Sequence, residues 1–441
     1  MSAQAVSDAI LPARMESLPY CVVGAGPAGL AAARWLKALD VPFEGFERHP
    51  DVGGIWNIGF PGSPMYESAH FISSKTLSGF RDYPMPESYP DYPSHRQILR
   101  YLEGYAARFD LRPHFRFGVS IVGARPSGGR WMVRFADGTE RTFAGVISAV
   151  GCEWRPFVPT FPGSFEGAII HSREYKNPRQ FEGRRVLIVG AGNSGCDIAC
   201  DASRSASRAL ISLRRGYYFI PKHILGKPAD VFDEDGPHLP YFIERPLLQG
   251  LLRLLNGDVT RLGLPKPDHS ILESHPVMNT QILHALQHGD IEARTDVREF
   301  RGNEVVFADG KVDAVDLIVL ATGYIRGVPF LPAGVLADDD VSELFLNVFH
   351  RRDPSLFVLG HFTADGGAYP LLDRQAELVA RVADARRRGR DLSRFNQALS
   401  GQPPDFTGGV RYQNVRRMSN YLKTRPYRAY LDRLLTSLRA G

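Results

Sequence analysis

The chain has 441 residues, of which 44% are hydrophobic and 23% charged, a composition typical of folded protein in about two domains and unlike that of a disordered chain. Its 53 lysine and arginine residues exceed 48 acidic residues by a net charge of only +5, with no basic-aromatic recognition motif, so nucleic-acid binding is not expected. Four cysteines form neither a CxxC pair nor a zinc spacing, which argues against a thiol-disulfide centre or a metal site and fits the reduced thiols of the cytoplasm, where we expect the protein.

The first predicted unit is a strand, a glycine-rich turn and a helix. An apolar run at 20–23 leads into Gly-Ala-Gly-Pro-Ala-Gly at 24–29. Such glycines permit a tight turn, let backbone N–H groups approach a pyrophosphate, and direct a helix N-terminus at its charge. A second strand over 41–47 ends at an acid, where a carboxylate accepts from the hydroxyls of a ribose without 2′-phosphate. The expected contacts with FAD are Gly24, Gly26, Ala28, Gly29 and Glu47.

The same unit recurs later in the chain. An apolar run at 185–189 leads into Gly-Ala-Gly-Asn-Ser-Gly at 190–195, and the following strand at 210–213 ends in Arg214 and Arg215. Guanidinium groups bind phosphate bidentately, so this unit is predicted to take NADPH in preference to NADH, the alternative being a solvated basic turn. The expected NADPH contacts are Gly190, Gly192, Asn193, Ser194, Gly195, Arg214 and Arg215.

An internal repeat extends beyond the two turns. Val-Arg-Phe-Ala-Asp-Gly at 133–138 precedes Gly151 by the spacing at which Val-Val-Phe-Ala-Asp-Gly at 305–310 precedes Gly323. Each copy predicts a hairpin with an Asp-Gly turn and then a buried strand, at 146–149 and 317–321.

Two further segments are predicted to be amphipathic, at 241–255 and 421–439. Such helices most often dock on a surface or cover a pocket, and the first one interrupts the second dinucleotide unit. No apolar run is long enough to span a membrane, and residues 1–18 are expected to be a loose leader without the apolar core of a secretory signal.

Four motifs carry a resemblance to a known family. Phe-Glu-Gly-Ala-Ile-Ile-His-Ser-Arg-Glu-Tyr-Lys at 165–176 is similar to its signature F-x-G-x-x-x-H-x-x-x-Y, and Gly-Gly-Ile-Trp at 53–56 is similar to its G-G-x-W segment. Ala-Thr-Gly-Tyr at 321–324 and Tyr-Pro-Leu-Leu-Asp-Arg-Gln-Ala at 369–376 match its domain junction and last FAD-domain helix. Over about residues 18–390 the chain resembles the flavin-containing monooxygenases, class B flavoproteins of bacterial type related to YUCCA-type and Baeyer–Villiger enzymes.

The resemblance implies an α/β fold with two Rossmann-like dinucleotide-binding domains of the glutathione-reductase type. An FAD-binding domain at 1–178 and 319–441 is discontinuous, because an NADPH-binding domain at 179–318 is inserted in it. The active site is expected at their interface, and the chain could form a homodimer.

The resemblance also assigns site residues. Gly54 and Trp56 are expected to lie along the flavin and Thr322 near NADP, while Asp373 is interpreted as a helix N-cap in preference to a flavin neighbour. His171 of the signature is either a hinge residue or a structural hydrogen bonder. Catalytic residues stay unassigned, with Tyr66, Ile72, Lys75 and His171 as candidates. Tyr66, Lys75 and Arg81 are interpreted either as lining the substrate side or as solvated loop contacts. Ile72 stands where many heteroatom oxygenases have an asparagine three residues before the lysine.

The implied activity is NADPH- and FAD-dependent monooxygenation, in which one atom of O₂ enters a small organic substrate through a flavin C4a-(hydro)peroxide. Tyr175 and Lys176 replace the tryptophan usual in the Baeyer–Villiger signature, which favours N- or S-oxygenation. The alternatives are ketone oxygenation, an NADPH oxidase that releases H₂O₂, and a non-enzymatic nucleotide-binding redox sensor.

Overall fold

The computed structural model describes residues 18–237, 239–402 and 404–439. In these ranges the α-helices are α1 (Pro27–Ala38), α2 (Lys75–Ser78), α3 (His95–Arg108), α4 (Asn193–Ser205), α5 (Ala229–Asp235), α6 (Tyr241–Asn256), α7 (Gln281–His288), α8 (Tyr369–Arg387), α9 (Ser393–Ser400) and α10 (Thr424–Arg439). Short 3₁₀ helices are formed by Gly54–Trp56, Arg112–His114, Pro178–Phe181, Val259–Leu262 and Arg416–Met418.

The strands are numbered in chain order. They are β1 (Tyr20–Val23), β2 (Phe43–Glu47), β3 (Phe115–Phe117), β4 (Ile121–Ser127), β5 (Arg130–Phe135), β6 (Glu140–Phe143), β7 (Gly145–Ser148), β8 (Arg155–Pro156), β9 (Gly163–Phe165), β10 (Ala168–His171), β11 (Arg185–Val189), β12 (Arg208–Ser212), β13 (His223–Ile224), β14 (Lys227–Pro228), β15 (Glu292–Arg294), β16 (Val297–Gly302), β17 (Glu304–Phe307), β18 (Val312–Ala314), β19 (Leu317–Leu320), β20 (Tyr324–Ile325), β21 (Leu344–Phe345), β22 (Phe349–His350), β23 (Leu356–Val358), β24 (Thr363–Ala364) and β25 (Tyr421–Leu422).

The first large sheet has the order β21-β22-β23-β7-β1-β2-β3, and its five strands from β23 to β3 are parallel. All four residues of β1 are buried, as expected for a central parallel strand covered on both faces. Helix α1 follows β1 and packs between the sheet and α8, where Leu30 and Leu36 join the same buried cluster as Leu378 and Val382. This layer fixes the direction in which the first glycine turn points.

The second large sheet has the order β10-β19-β11-β12-β15 and is parallel throughout. Its strands β19-β11-β12-β15 repeat the arrangement β7-β1-β2-β3 of the first sheet. The predicted fold class, two Rossmann-like dinucleotide-binding domains in an α/β chain, is confirmed.

Both predicted hairpins are present. Strands β5 and β6 pair on either side of the first Asp-Gly turn, and β17 and β18 pair on either side of the second. The first hairpin belongs to the antiparallel sheet β4-β5-β6, and the second belongs to the mixed sheet β18-β17-β16-β9, in which β9 and β16 are parallel. Each hairpin leads into a central strand of its domain, β7 or β19. The internal repeat therefore covers the hairpins as well as the glycine turns.

The chain passes between the two sheets at a paired ribbon. Strand β8 leaves the first domain and β20 returns to it, and the two are antiparallel partners. Beyond the ribbon, β9 pairs with β16 and β10 pairs with β19. The division predicted from the sequence at 178/179 and 318/319 would put β9 in a different domain from its partner β16 and would cut through β19, the partner of β10. The chain crosses between the two sheets at the paired strands β8 and β20.

The two segments predicted to be amphipathic form α6 and, after the short strand β25, α10. Helix α10 packs on α8, with Tyr427, Leu431 and Leu435 buried. Helix α6 buries only Leu252 fully, and its Phe242 remains 72% exposed. Within the described ranges, no helix combines the length and apolar character needed to cross a bilayer.

Candidate active site

A cavity of about 1050 Å³ lies between the two domains. Gly24 and Gly26 of the first glycine turn line it from one side, and Asn193 and Ser194 of the second turn line it from the other. Its volume lies at the upper end of the range of about 300–1000 Å³ for single ligand sites. Both dinucleotide turns therefore open onto one space.

The first turn has the geometry that a pyrophosphate requires. Gly24 has φ +106°, and a Cβ there would lie 2.6 Å from the carbonyl oxygen of Ala149. A Cβ at Gly29 would overlap the carbonyl oxygen of Gly24. Only glycines allow helix α1 to pack this closely, with its first N–H groups near the cavity wall. The turn therefore fits the diphosphate of FAD.

Glu47 lies at the end of β2 and lines the cavity, although its side chain is only 6% exposed. Its Oε2 accepts from the N–H of Ala25 at 2.7 Å and its Oε1 accepts from the N–H of His49 at 2.9 Å. Burial raises the pKa of Glu47, an effect that these two N–H donors oppose. The carboxylate thus ties β2 to the glycine turn, and each oxygen keeps a lone pair for a ribose hydroxyl.

Gly54 and Trp56 stand on the same wall. Gly54 has φ +56°, and its Cα lies 3.5 Å from the Cβ position of Gly26, so the two backbones approach each other closely. The Trp56 ring packs 5.2 Å from the ring of Phe71, and both side chains line the cavity. Ala28 lines it as well, whereas Gly29 lies behind the turn.

The second turn repeats the first. Gly190 has φ +103°, and a Cβ there would lie 2.6 Å from the carbonyl oxygen of Ala321. A Cβ at Gly195 would overlap the carbonyl oxygen of Gly190, whereas one at Gly192 would meet no atom within 4 Å. Gly192 therefore faces open space at the N-terminus of α4, where a pyrophosphate fits.

Arg214 and Arg215 follow β12, the counterpart of β2. Arg214 is exposed, and Nη1 of Arg215 donates to Oε1 of Gln413 at 3.1 Å. Nε of Arg215 is buried and has no acceptor among the described residues. Guanidinium donors thus stand at the strand end where a 2′-phosphate would lie, outside the central cavity.

A hydrogen-bond network crosses the domain boundary at the wall of the cavity. The Tyr66 hydroxyl donates to Oδ2 of Asp197 at 2.9 Å, and Asn279 donates to Oδ1 at 2.6 Å. Asp201, one helical turn further along α4, accepts from the hydroxyls of Ser68 and Tyr175. Burial, followed by the Asp197 charge, raises the pKa of Tyr66 far above its usual value, so this phenol keeps its proton.

Of three candidates for the substrate side, Ile72, Lys75 and Arg81, only Ile72 lines the cavity. This residue is 41% exposed. Lys75 points elsewhere, because its Nζ donates to the carbonyl oxygens of Glu87, at 2.6 Å, and Tyr89. Arg81, offered as an alternative, pairs with carboxylates of α8. Lys75 and Arg81 thus make contacts away from the cavity, because backbone carbonyls and buried carboxylates accept from their donors.

Asp373 requires a correction. It lies inside α8, whose N-cap is Ala368, and it is fully buried. Its carboxylate accepts from Trp35 Nε1 at 2.8 Å and from Arg34 at 3.2 Å, and it pairs with Arg81. Asp373 therefore neither caps the helix nor reaches the cavity. It joins α1 to α8, because three donors surround it there.

His171 and Thr322 lie at the chain crossing. His171 is buried, and its Nε2 lies 3.1 Å from the carbonyl oxygen of Gly323, while Thr322 donates to the carbonyl oxygen of Phe157 at 2.5 Å. Burial lowers the pKa of His171, so the ring is neutral at pH 7. Neither side chain lines the cavity. Of the two interpretations of His171, these contacts fit the structural hydrogen bonder, because its ring contacts the backbone just before β20.

The sequence interpretation missed the acidic face of α4 and the contribution of the C-terminus. Asp197 and Asp201 are four residues apart, so their position on one helix face was available as a signal. Tyr421, Lys423 and Arg425 line the cavity from the end of the chain, for which no local pattern gave a signal. No group of three or more His, Cys, Asp or Glu side chains in the ranges described could hold a metal ion.

Comparison with known proteins gives the family. The profile of the flavin-binding monooxygenase-like family matches residues 19–388. The chain belongs to this family. Mouse flavin-containing monooxygenase 5 is 31% identical over 399 residues, covering 83% of this chain and 74% of the relative. The N-oxide-forming dimethylaniline monooxygenase 2 of rat is 31% identical over 395 residues, covering 82% and 72%.

Solved structures agree on the fold of this monooxygenase. A cyclohexanone monooxygenase mutant from Rhodococcus sp. Phi1 bound to NADP⁺ has a TM-score of 0.73 at 19% identity, covering 95% of this chain and 98% of that one. The flavin-containing monooxygenase from Stenotrophomonas maltophilia has a TM-score of 0.63 at 21% identity, covering 84% and 98%. The chain is thus an oxidoreductase whose cofactors are FAD and NADPH, and both glycine turns fit them. Because the family consists of enzymes, the sensor alternative is set aside.

Proposed function

We propose that this monooxygenase uses NADPH and O₂ to oxygenate the nitrogen or sulfur atom of a small nucleophilic substrate. The observation that carries the proposal is the single cavity onto which both glycine turns open. When bound there, NADPH supplies a hydride and FAD supplies the activation of O₂. The chain itself has to hold both groups in one space and exclude water from it.

The preference for a heteroatom is supported by sequence likeness and by the signature. The rat relative, 31% identical, is named for N-oxide formation. In this chain Tyr175 is buried against Phe181 with ring centroids 4.7 Å apart, and Nζ of Lys176 donates to the carbonyl oxygens of Ser63 at 2.5 Å and Met65 at 3.0 Å. The signature thus holds the 63–66 loop at the rim of the cavity, with no tryptophan at this position.

Apolar side chains close the cavity on the substrate side. Ile72 and Phe71 stand on the first-domain wall, and the inserted helix α6 adds Leu247, Leu248 and Leu251. An apolar wall excludes water and leaves room for a neutral amine or thioether. We propose that this wall selects small apolar nucleophiles.

The opposite wall carries the cross-domain contact between Tyr66 and Asp197 at 2.9 Å. It joins the first-domain loop to α4, the helix that begins at the second turn. We assign this pair the role of holding the two cofactor sites in register. Tyr66 is therefore proposed as a positioning residue, and it stays protonated.

An NADPH oxidase is the second candidate, because Ile72 offers no hydrogen bond at the position where the family resemblance implies an asparagine. Ketone oxygenation is the third, because the cyclohexanone monooxygenase fold is close to this one.

The test follows NADPH oxidation by FAD-loaded protein with a tertiary amine, a thioether and a cyclic ketone. Oxygenated product and H₂O₂ are quantified per NADPH consumed. N-oxide or sulfoxide in near-stoichiometric yield supports the proposal. Lactone as the main product would replace it with ketone oxygenation, and stoichiometric H₂O₂ with every substrate would replace it with the oxidase.

A further inference from the structure

The C-terminal segment, residues 404–428, lies beyond the part of the chain that the family profile matches, which ends at residue 388. It packs on the second domain. The N–H of Gln413 donates to the carbonyl oxygen of Glu273 at 2.8 Å, and the hydroxyl of Tyr421 lies 3.2 Å from Nδ1 of His275. The segment therefore reaches the edge of the second domain where β12 ends.

The side chain of Gln413 lies between Arg215 and Asp268. Nη1 of Arg215 donates to its Oε1 at 3.1 Å, and its Nε2 donates to Oδ1 of Asp268 at 3.1 Å. Because a guanidinium only donates and a carboxylate only accepts, both partners require the same orientation of the amide. The Gln413 amide thus holds the Arg215 guanidinium at Nη1, and Asp268 fixes the orientation of that amide.

Within the described ranges Nη2 of Arg215 forms no hydrogen bond, so the residue keeps this donor for an anion, whereas its Nε is buried. Its Nε has no acceptor among the described residues. A neutral amide orients the guanidinium without neutralising it, whereas a carboxylate at the same place would compete with a phosphate. Gln413 therefore positions the positive charge of Arg215 without adding a second negative charge to that of the nearby Asp268.

We propose that Gln413 is a positioning residue for the 2′-phosphate of NADPH and acts through Arg215. The inference rests on the proposed assignment of Arg215 to that phosphate. An arginine loses rotamer freedom when it clamps a phosphate, and an amide that already holds the side chain lowers this cost. Part of the coenzyme preference then resides in a segment remote in sequence from the glycine turn.

The first test is calorimetric titration of the FAD-loaded protein with adenosine 2′,5′-bisphosphate and with adenosine 5′-monophosphate. Gln413→Ala should raise the Kd of the bisphosphate about 5-fold, less than the loss of a hydrogen bond to a charged group, because Gln413 acts only through Arg215. The Kd of the monophosphate should change less than 2-fold. The matched control is Gln397→Ala on the exposed face of α9, which should change neither value. An equal change for both ligands, or none, would overturn the role of Gln413.

Arg215→Ala separates this inference from the assignment on which it rests. If Arg215→Ala leaves the bisphosphate Kd unchanged, the phosphate assignment itself fails. If Arg215→Ala weakens the bisphosphate and Gln413→Ala does not, only the role of Gln413 fails. When both are right, Gln413→Ala has no further effect in the Arg215→Ala background, because the two residues act as a unit.

Gln413→Glu is a second variant of nearly the same shape. Its carboxylate can accept from Arg215, but it adds a negative charge beside the phosphate and loses the N–H that Gln413 donates to Asp268. Bisphosphate binding should therefore weaken more than in Gln413→Ala. In steady-state kinetics both variants should raise KM for NADPH, with kcat and KM for NADH within 2-fold of the unmodified enzyme. A fall in kcat with either coenzyme and no change in KM would contradict a positioning role.

Discussion

The two glycine turns have nearly the same backbone. Gly24 and Gly190 have φ +106° and +103°, and a Cβ on either one would lie 2.6 Å from a carbonyl oxygen, that of Ala149 or Ala321. In both turns the last glycine packs against the carbonyl oxygen of the first. The turn is therefore a common device for holding a diphosphate, whichever dinucleotide carries it.

The difference lies at the end of the next strand. In the first domain Glu47 accepts from two backbone N–H groups, at 2.7 and 2.9 Å. In the second domain Arg214 and Arg215 occupy the corresponding place. The shared fold therefore fixes where the diphosphate lies, and we propose that the charge at one strand end selects the ribose attached to it.

The largest effect is expected from alanine at the last glycine of each turn. Gly29→Ala should abolish FAD retention, because the added Cβ overlaps the carbonyl oxygen of Gly24. Gly195→Ala should leave FAD bound but lower NADPH affinity by at least about 100-fold. Flavin absorbance after gel filtration and the rate of anaerobic reduction by NADPH measure the two effects.

The control for both variants is Gly250→Ala in α6, where a Cβ meets no atom within 4 Å. It should match the unmodified enzyme in both measurements. Loss of FAD from Gly195→Ala would show that the second turn also affects FAD binding, and it would contradict separate roles for the two turns.

The next effect concerns the strand ends. Replacing both Arg214 and Arg215 with alanine should raise KM for NADPH on the order of 100-fold, since charge-assisted bonds to the 2′-phosphate are lost. KM for NADH should change less than 3-fold. A similar rise for both coenzymes would rule out the 2′-phosphate assignment.

Glu47→Gln is the counterpart in the first domain. A carboxamide has one acceptor atom, so the N–H of Ala25 or of His49 would lose its partner. We expect FAD to dissociate about 10-fold more readily, with the NADPH-to-NADH preference unchanged. Fluorescence of released flavin measures the loss, and a shift in coenzyme preference would contradict the separate roles of the two strand ends.

A smaller effect is expected where the domains meet. Tyr66→Phe removes the hydroxyl that donates to Asp197, whereas Asn279 still donates at 2.6 Å. We expect a loss of about 2 kcal/mol in stability and a rise in H₂O₂ released per NADPH, as the domains hold their register less well. Tyr430→Phe on α10 is the matched control. Unchanged H₂O₂ yield in Tyr66→Phe would remove this residue from the proposed positioning role.

The last effect is on stability alone, and it concerns the pH dependence of His275 in the second domain. Burial, and then Arg417, lowers the pKa of His275 to about 3. Unfolding returns it to about 6.5, so the unfolded state binds the proton first, and stability from this residue is full above pH 6.5 and declines as pH falls toward 3. At pH 5 the decline is about 2 kcal/mol. The Tm of His275→Gln should therefore fall less between pH 7.5 and 5 than that of the unmodified enzyme. A parallel fall in both proteins would contradict a His275 that is neutral in the folded protein.

Much of this architecture could be predicted from the sequence, because glycine turns and Asp-Gly hairpins are encoded locally. The repeat, the cofactor pair and the family all depended on such short patterns. Glu47 could be placed at a strand end from spacing alone.

The errors concern residues whose partners are distant in sequence. Asp373 meets Arg34 and Arg81 across the packing of α1 on α8, and Lys75 meets the carbonyl oxygens of a loop. The sequence predicts ligand contacts for charged side chains near a motif, but acceptors elsewhere in the protein bind these side chains. Gln413 had no signal at all, because its role depends on a contact with Arg215, 198 positions away.

The paired linkers β8 and β20 have a consequence for how such enzymes can be recombined. Tyr324 stands opposite Pro156, and Ile325 stands opposite Arg155. Neighbouring antiparallel strands lie about 5 Å apart, so removal of residues 157–323 would leave two chain ends that a two-residue turn can join. The coenzyme domain is therefore joined to the flavin domain through two adjacent strands. A chimera with another coenzyme domain would use another electron donor, while the flavin domain keeps its own core.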